Sequence, residues 1–120
     1  MAGRTGEEGA GRGTPFRIDV ERGDGRVVVI VAGELDLATS PLLVREVTGE
    51  LSNPVTSLAI DLGAVTFLDS SGLEAVLTVR RDAQERGVPF TLASVSRVVR
   101  TVLDLNGLND ILSRTDRPPS

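Results

Sequence analysis

The stretch Leu68-Asp69-Ser70-Ser71-Gly72-Leu73-Glu74 is where this chain passes from strand to helix, and its reading decides the fold. Ahead of it, Ser57-Leu58-Ala59-Ile60-Asp61-Leu62 reads as a short buried strand. Behind it, Leu73, Val76, Leu77 and Arg80 recur at helical spacing, apolar first and charged where the face should meet water. Ser71 and Glu74 form the S-x-x-E pattern, in which the serine oxygen accepts the backbone N–H at Glu74 and the glutamate reaches back. Neither Asp69 nor Ser70 has an acidic partner at that offset. The capping rule therefore assigns Ser71 to the backbone and leaves the Ser70 hydroxyl uncommitted, just outside the helix. Orphan N–H groups and the helix dipole favour negative charge there, which suits a phosphate on Ser70. Ser-Ser-Gly before a helix is also common capping chemistry, and spacing alone favours that purely structural reading.

The flanks extend the pattern on both sides. Gly63 to Leu68 is apolar and short, and is expected as a loop that tucks Phe67 or Leu68 into the core beneath the site. The helix is expected from about Gly72 to Glu85, closing on Arg86-Gly87, with Arg80 to Arg86 as a solvated face. Upstream, Thr39-Ser40-Pro41 opens another helix, with Ser40 as N-cap and Pro41 at the first helical position. Its apolar stripe is Leu43, Val47 and Leu51 with Val44 adjacent, and Ser52-Asn53-Pro54 ends it. Val27 to Ala32 runs apolar without a break, as a central strand covered on both faces would. Gly33-Glu34-Leu35-Asp36 follows at its carboxyl end, where ligands bind in open α/β sheets. Asp36 has two readings: the cap of an Asx-type turn, which spacing favours, or a neighbour of Asp69 and Ser70 across one end of a parallel sheet.

At the margins, Phe16 to Glu21 alternates as a half-exposed edge strand, and Gly23-Asp24-Gly25 turns it into an antiparallel hairpin. Pro89 to Ala93 is a fourth strand. Ser94-Val95-Ser96 opens a third helix capped by Ser96, with Val98, Val99, Val102, Leu103 and Leu105 as its buried face and Asn106-Gly107 as its stop. Arg97 and Arg100 read as a solvated outer pair, and Ile111-Leu112-Ser113 as a last short strand. The order β-β-α-β-α-β-α predicts one α/β domain over residues 16–113: a mixed, mostly parallel sheet with an antiparallel first strand, covered by helices, its crossovers right-handed. Residues 1–15 hold five of the 13 glycines and are expected to form a disordered tail. Residues 114–120 are read as a C-terminal tail.

Composition removes whole classes of chemistry. The 120 residues include no His, Cys, Tyr, Trp or Lys, and all 13 basic residues are Arg. Imidazole and thiol catalysis, Schiff bases, the usual zinc sites and a Walker A lysine are therefore absent, and neither cofactor nor metal is expected. A formal charge of −4, with Phe16, Phe67 and Phe90 the only aromatic residues, argues against direct nucleic-acid binding. No apolar run approaches the ~18 residues of a membrane span, and the N-terminus carries no apolar leader pattern, so a cytoplasmic protein is expected.

Val65-Thr66-Phe67-Leu68-Asp69-Ser70-Ser71-Gly72-Leu73 resembles the signature of the anti-sigma factor antagonist family, the STAS-domain proteins. Gly33-Glu34-Leu35-Asp36 matches that family's motif between second strand and first helix, and the resemblance runs from about Phe16 to Ser113. It implies that the first serine of D-S-S-G is a kinase target, which is Ser70, the residue that capping also left available. It implies a phosphorylation-switched binding module and not an enzyme. The unphosphorylated antagonist would bind an anti-sigma factor, which then releases its sigma factor. That anti-sigma factor, an ATP-dependent serine kinase, would phosphorylate Ser70 and so dismiss the antagonist, and a phosphatase would reset the cycle. Asp69, Ser70, Ser71 and Gly72 would form the contact, with Glu34 and Asp36 alongside. Glu74 departs from the small residue usual in the family and adds a carboxylate to that contact. Two rivals stand beside this reading. A hydrolase using Ser70 would have only carboxylates as base and lacks the G-x-S-x-G elbow. A STAS-type regulatory subunit of a membrane transport or lipid-trafficking system is the alternative from another class.

Overall fold

The computed structural model describes residues 15–112. The tails expected at 1–15 and 114–120 lie outside it, Pro15 apart, as does Ser113. Its elements are β1 (Arg17–Gly23), β2 (Arg26–Leu35), α1 (Ser40–Leu51), β3 (Ser57–Leu68), α2 (Ser70–Glu85), β4 (Phe90–Val95) and α3 (Arg97–Leu105), followed by a 3-10 turn at Asn109–Ile111. The strands lie in the order β1-β2-β3-β4, with β1 antiparallel to β2 and the other pairs parallel. This is the expected α/β order. The hairpin closes on Asp24 and Gly25, at φ 55° and 79°, so both central residues take the positive φ that matches the twist of the strands.

Alternation decides which side of the sheet becomes core. Val27, Val29 and Val31 of β2 are buried together with Leu58, Ile60 and Leu62 of β3, and α1 and α2 close that side with Leu43, Val47, Val76 and Val79. Val28 and Ile30 stay half-buried, so β2 is not covered equally on both faces as its unbroken apolar run suggested.

The segment expected as a loop, Gly63 to Leu68, is instead the second half of β3. Its register against β2 shifts twice, between Ile30 and Ala32 and between Gly33 and Glu34, each time with an extra residue on β3. A bulge resets which face a side chain takes. The buried residues therefore step Leu62, Val65, Leu68, and a spacing of three does not read as a strand. Leu68 enters the core and Phe67 stays 45% exposed.

Three helix readings also change. The buried residues of α2 are Gly72, Ala75, Val76, Val79 and Ala83, while Leu73 and Leu77 are half-buried and Arg80 meets Asp110 at 3.8 Å. The far end of α2 is more than a solvated face. Arg86 Nη1 donates to the Leu51 carbonyl at 3.0 Å and Nε to Asp82 at 2.8 Å, tying α2 to the end of α1. In α3, Ser96 caps as expected by accepting from Val99 N–H, but Leu105 is 80% exposed. It stands two residues, about 200° of helix, beyond buried Leu103. Both α2 and α3 end on a left-handed glycine, with Val88 N–H on Ala83 O and Leu108 N–H on Leu103 O. The expected last strand shrinks to one parallel bridge, Leu92 with Leu112.

At the opposite sheet end from the D-S-S-G stretch, buried Glu50 of α1 receives both Nε (2.8 Å) and Nη2 of Arg22 from β1. The hydrogen bonds from Arg22 hold the Glu50 carboxyl below its ordinary value, against burial, which acts to raise it.

Candidate functional site

The geometry of the site begins with the parallel pairing of β2 and β3. Leu35 and Leu68 are partners at the ends of their strands, and Asp69 N–H reaches back to the Leu35 carbonyl at 3.4 Å. The chain leaving β2 at Asp36 and the chain leaving β3 at Asp69 therefore start from one point on the sheet edge. For Asp36, the turn-cap reading is what the structure shows, and its loop leaves the sheet beside Asp69. Asp36 Oδ1 accepts the N–H groups of Ala38 (3.0 Å) and Thr39 (3.1 Å), an Asx-type turn, and the same loop sits beside the D-S-S-G stretch. Thr39 completes it: its hydroxyl accepts Asp36 N–H at 2.9 Å and lies 2.8 Å from the Glu34 carbonyl. With Thr39 so engaged, Ser40 is the first residue of α1 and not its N-cap, and it is buried. Glu34, paired in register with Phe67, is exposed.

The cap of α2 differs from expectation. Asp69 is the N-cap, in extended conformation, with Oδ1 accepting Gly72 N–H at 2.9 Å. Ser70 and Ser71 are both inside the helix, so Ser71 does not cap it. The reason lies at Gly72, which is buried. A Cβ on Gly72 would stand 2.3 Å from the Leu35 carbonyl oxygen and 2.7 Å from Leu68 Cδ1. That approach brings the first turn of α2 against the end of β2. Asp69 is then left as the flanking residue, and aspartate caps as well as serine does while also favouring the dipole. Ser70, expected just outside the helix, lies in its first turn; it is exposed, and the capping bond belongs to Asp69.

Beside Ser70 runs a groove of about 330 Å³ between the N-terminal halves of α1 and α2. Leu37, Ser40, Pro41 and Val44 form one wall, and Ser71, Glu74, Ala75 and Thr78 the other. Half-buried Ser71 and exposed Glu74 thus face the same space. Sequence reasoning missed the α1 wall. The one available signal was Leu37, a large apolar residue outside any helix or strand period, and it is 75% exposed.

Of the seven residues singled out in the sequence, Glu34, Asp36, Asp69, Ser70, Ser71 and Glu74 are exposed or half-buried at this end. Gly72 lies beneath them, where it lets the helix begin at this point. Among the described residues, no group of three or more acidic side chains could hold a metal ion. No helix among them is long and apolar enough to cross a membrane. The chemistry on offer is an accessible hydroxyl within an acidic, partly apolar surface, which suits recognition and modification.

The chain matches the model of the STAS domain over residues 17–117. It is 30% identical over 97 residues to the anti-sigma-B factor antagonist of Bacillus subtilis, covering 81% of this chain and 88% of that one. It is 38% identical over 88 residues to the anti-sigma-F factor antagonist RsfB of Mycobacterium tuberculosis, covering 72% and 70%. Among solved structures it is similar to an anti-sigma factor antagonist from Mycobacterium paratuberculosis, at TM-score 0.72 and 28% identity over 85% of this chain and 90% of that one. On motif, topology and these relationships together, the chain belongs to the anti-sigma factor antagonist family of STAS-domain proteins.

Proposed function

We propose that this protein is a partner-switching antagonist that acts in the cytoplasm and is not an enzyme. Unphosphorylated, it binds an anti-sigma factor through the surface formed by Glu34, Asp36, Asp69, Ser70, Ser71 and Glu74, supported from below by Gly72, and the sigma factor is released. The anti-sigma factor, acting as an ATP-dependent kinase, phosphorylates Ser70 and ends the complex, and a phosphatase restores it. The observation that carries this reading is the exposed Ser70 hydroxyl in the first turn of α2, with the capping bond made by Asp69. A kinase can reach such a hydroxyl without taking a cap from the helix.

A phosphate adds roughly −1.5 to −2 charge beside Asp69. The carboxylates repel it and the helix N-terminus attracts it, so the fold persists while the partner loses a surface shaped around a small neutral group. The chain's likeness to SpoIIAA in both its unphosphorylated form (TM-score 0.71) and its phosphorylated form (TM-score 0.67) supports a fold compatible with either state. The test pairs phosphosite mapping with titration against the purified cognate anti-sigma factor. Phosphate on Ser70, binding weakened about 5–150-fold and unfolding still cooperative are the expected results. Phosphate on Ser71, or unchanged affinity, would overturn the mechanism.

A further inference from the structure

The groove between α1 and α2 has a chemical character that its position beside Ser70 does not explain. One part is apolar: Leu37, which is 75% exposed, with Pro41, Val44 and Ala75. The other part is the exposed carboxylate of Glu74, which shares the α2 wall with Ala75. Among the described residues that carboxylate forms no ion pair. From Glu34 to Val44 and from Thr66 to Val79 the chain carries Glu34, Asp36, Asp69 and Glu74 and no arginine. The nearest arginines in the chain, Arg45 and Arg80, follow just beyond these stretches. A surface with an apolar cleft and an uncompensated carboxylate complements a segment that offers an aliphatic side chain next to a cation.

We infer that this groove is the specificity-determining subsite of the partner interface. It takes one aliphatic side chain of the anti-sigma factor between Leu37 and Ala75, while an adjacent arginine or lysine of that segment pairs with Glu74. The inference rests on the proposed function and adds to it the chemistry of the partner. Ser70 reports the phosphorylation state, and Glu74 with Leu37 selects which anti-sigma factor is bound. Glu74 stands one helical turn after Ser70 on the same side of α2, so a single partner segment spans both.

The test uses the full chain and the purified cognate anti-sigma factor, titrated at two salt concentrations. Glu74→Gln is expected to weaken binding ~10-fold and to reduce its salt dependence, because a charge pair at the rim is screened. Leu37→Ala is expected to weaken it by a similar factor without changing the salt dependence. Glu85→Gln, which removes the same charge from an exposed position at the far end of α2, is the control and should leave affinity within 2-fold, roughly the effect of distant screened charge. A photo-crosslinking residue at Leu37 should mark an aliphatic residue beside a lysine or arginine of the partner. Reversing that cation to glutamate should restore binding to Glu74→Arg. Wild-type protein that fails to bind the anti-sigma factor refutes the proposed function. Wild-type binding left intact by Glu74→Gln or Leu37→Ala, or weakened equally by Glu85→Gln, refutes the groove and leaves that function standing.

Discussion

Replacing Gly72 with alanine sets two effects of opposite sign against each other. Gly72 is the third residue of α2, and helix propensity alone makes Gly→Ala there favourable by about 1 kcal/mol. The tertiary contact says otherwise. The new methyl would lie 2.3 Å from the Leu35 carbonyl oxygen, 3.1 Å from the Leu35 carbonyl carbon and 2.7 Å from Leu68 Cδ1. Leu68 can rotate, but the Leu35 carbonyl belongs to the backbone at the end of a hydrogen-bonded strand. Relief therefore requires the first turn of α2 to withdraw, which stretches the Asp69 N–H bond to Leu35, already 3.4 Å long. Overpacking of this kind costs ~1–3 kcal/mol, and a clash with backbone belongs at the upper end. Loosening the Asp69 cap adds up to ~1 kcal/mol. Setting these against the propensity gain leaves a net loss of about 2 kcal/mol. For a domain of this size that lowers Tm by about 10 °C. Urea unfolding followed by circular dichroism measures it, with the m-value checked for constancy. A Gly72→Ala protein as stable as wild type, or more so, would show that propensity wins. The close approach would then not be what places the helix start.

The remaining expectations concern the cap, the switch serine and the ion pair. Asp69→Ala should cost about 1 kcal/mol because it removes the bond to Gly72 N–H, whereas Ser71→Ala should stay within ~0.5 kcal/mol; the reverse order would restore the S-x-x-E cap. Ser70→Ala should leave unfolding unchanged within the same ~0.5 kcal/mol while abolishing labelling by the kinase; a large loss of stability would mean the hydroxyl is structural. Arg22→Gln should lower stability at neutral pH, and the gap from wild type should close as the solution is acidified. Arg22 holds the Glu50 carboxyl below its ordinary value. The stability it contributes is thus present above the unfolded-state value and lost as pH falls through the folded one. A gap that is constant with pH would assign the effect of Arg22 to packing.

The amino-acid sequence alone determined the order of elements, because period-2 and period-3.6 apolar patterns, Asp-Gly and terminal glycines are local signals that each segment carries by itself. It also marked the D-S-S-G and G-E-L-D stretches, because each motif is carried by consecutive residues. Tertiary contact decided the rest. The strand from Gly63 to Leu68 was hidden because its two bulges are defined only by the partner strand β2. The helix start moved from Ser71 to Asp69 because Gly72 meets the Leu35 carbonyl, a residue 37 positions away that no capping rule includes. Glu50 falls on the apolar stripe of α1, three residues after Val47 and seven after Leu43, but its partner Arg22, 28 residues away, is set only by the packing of β1 against that helix. The groove has the same origin: Leu37 and Glu74 face one space only because β2 and β3 are parallel and end together, which brings the two helix starts side by side.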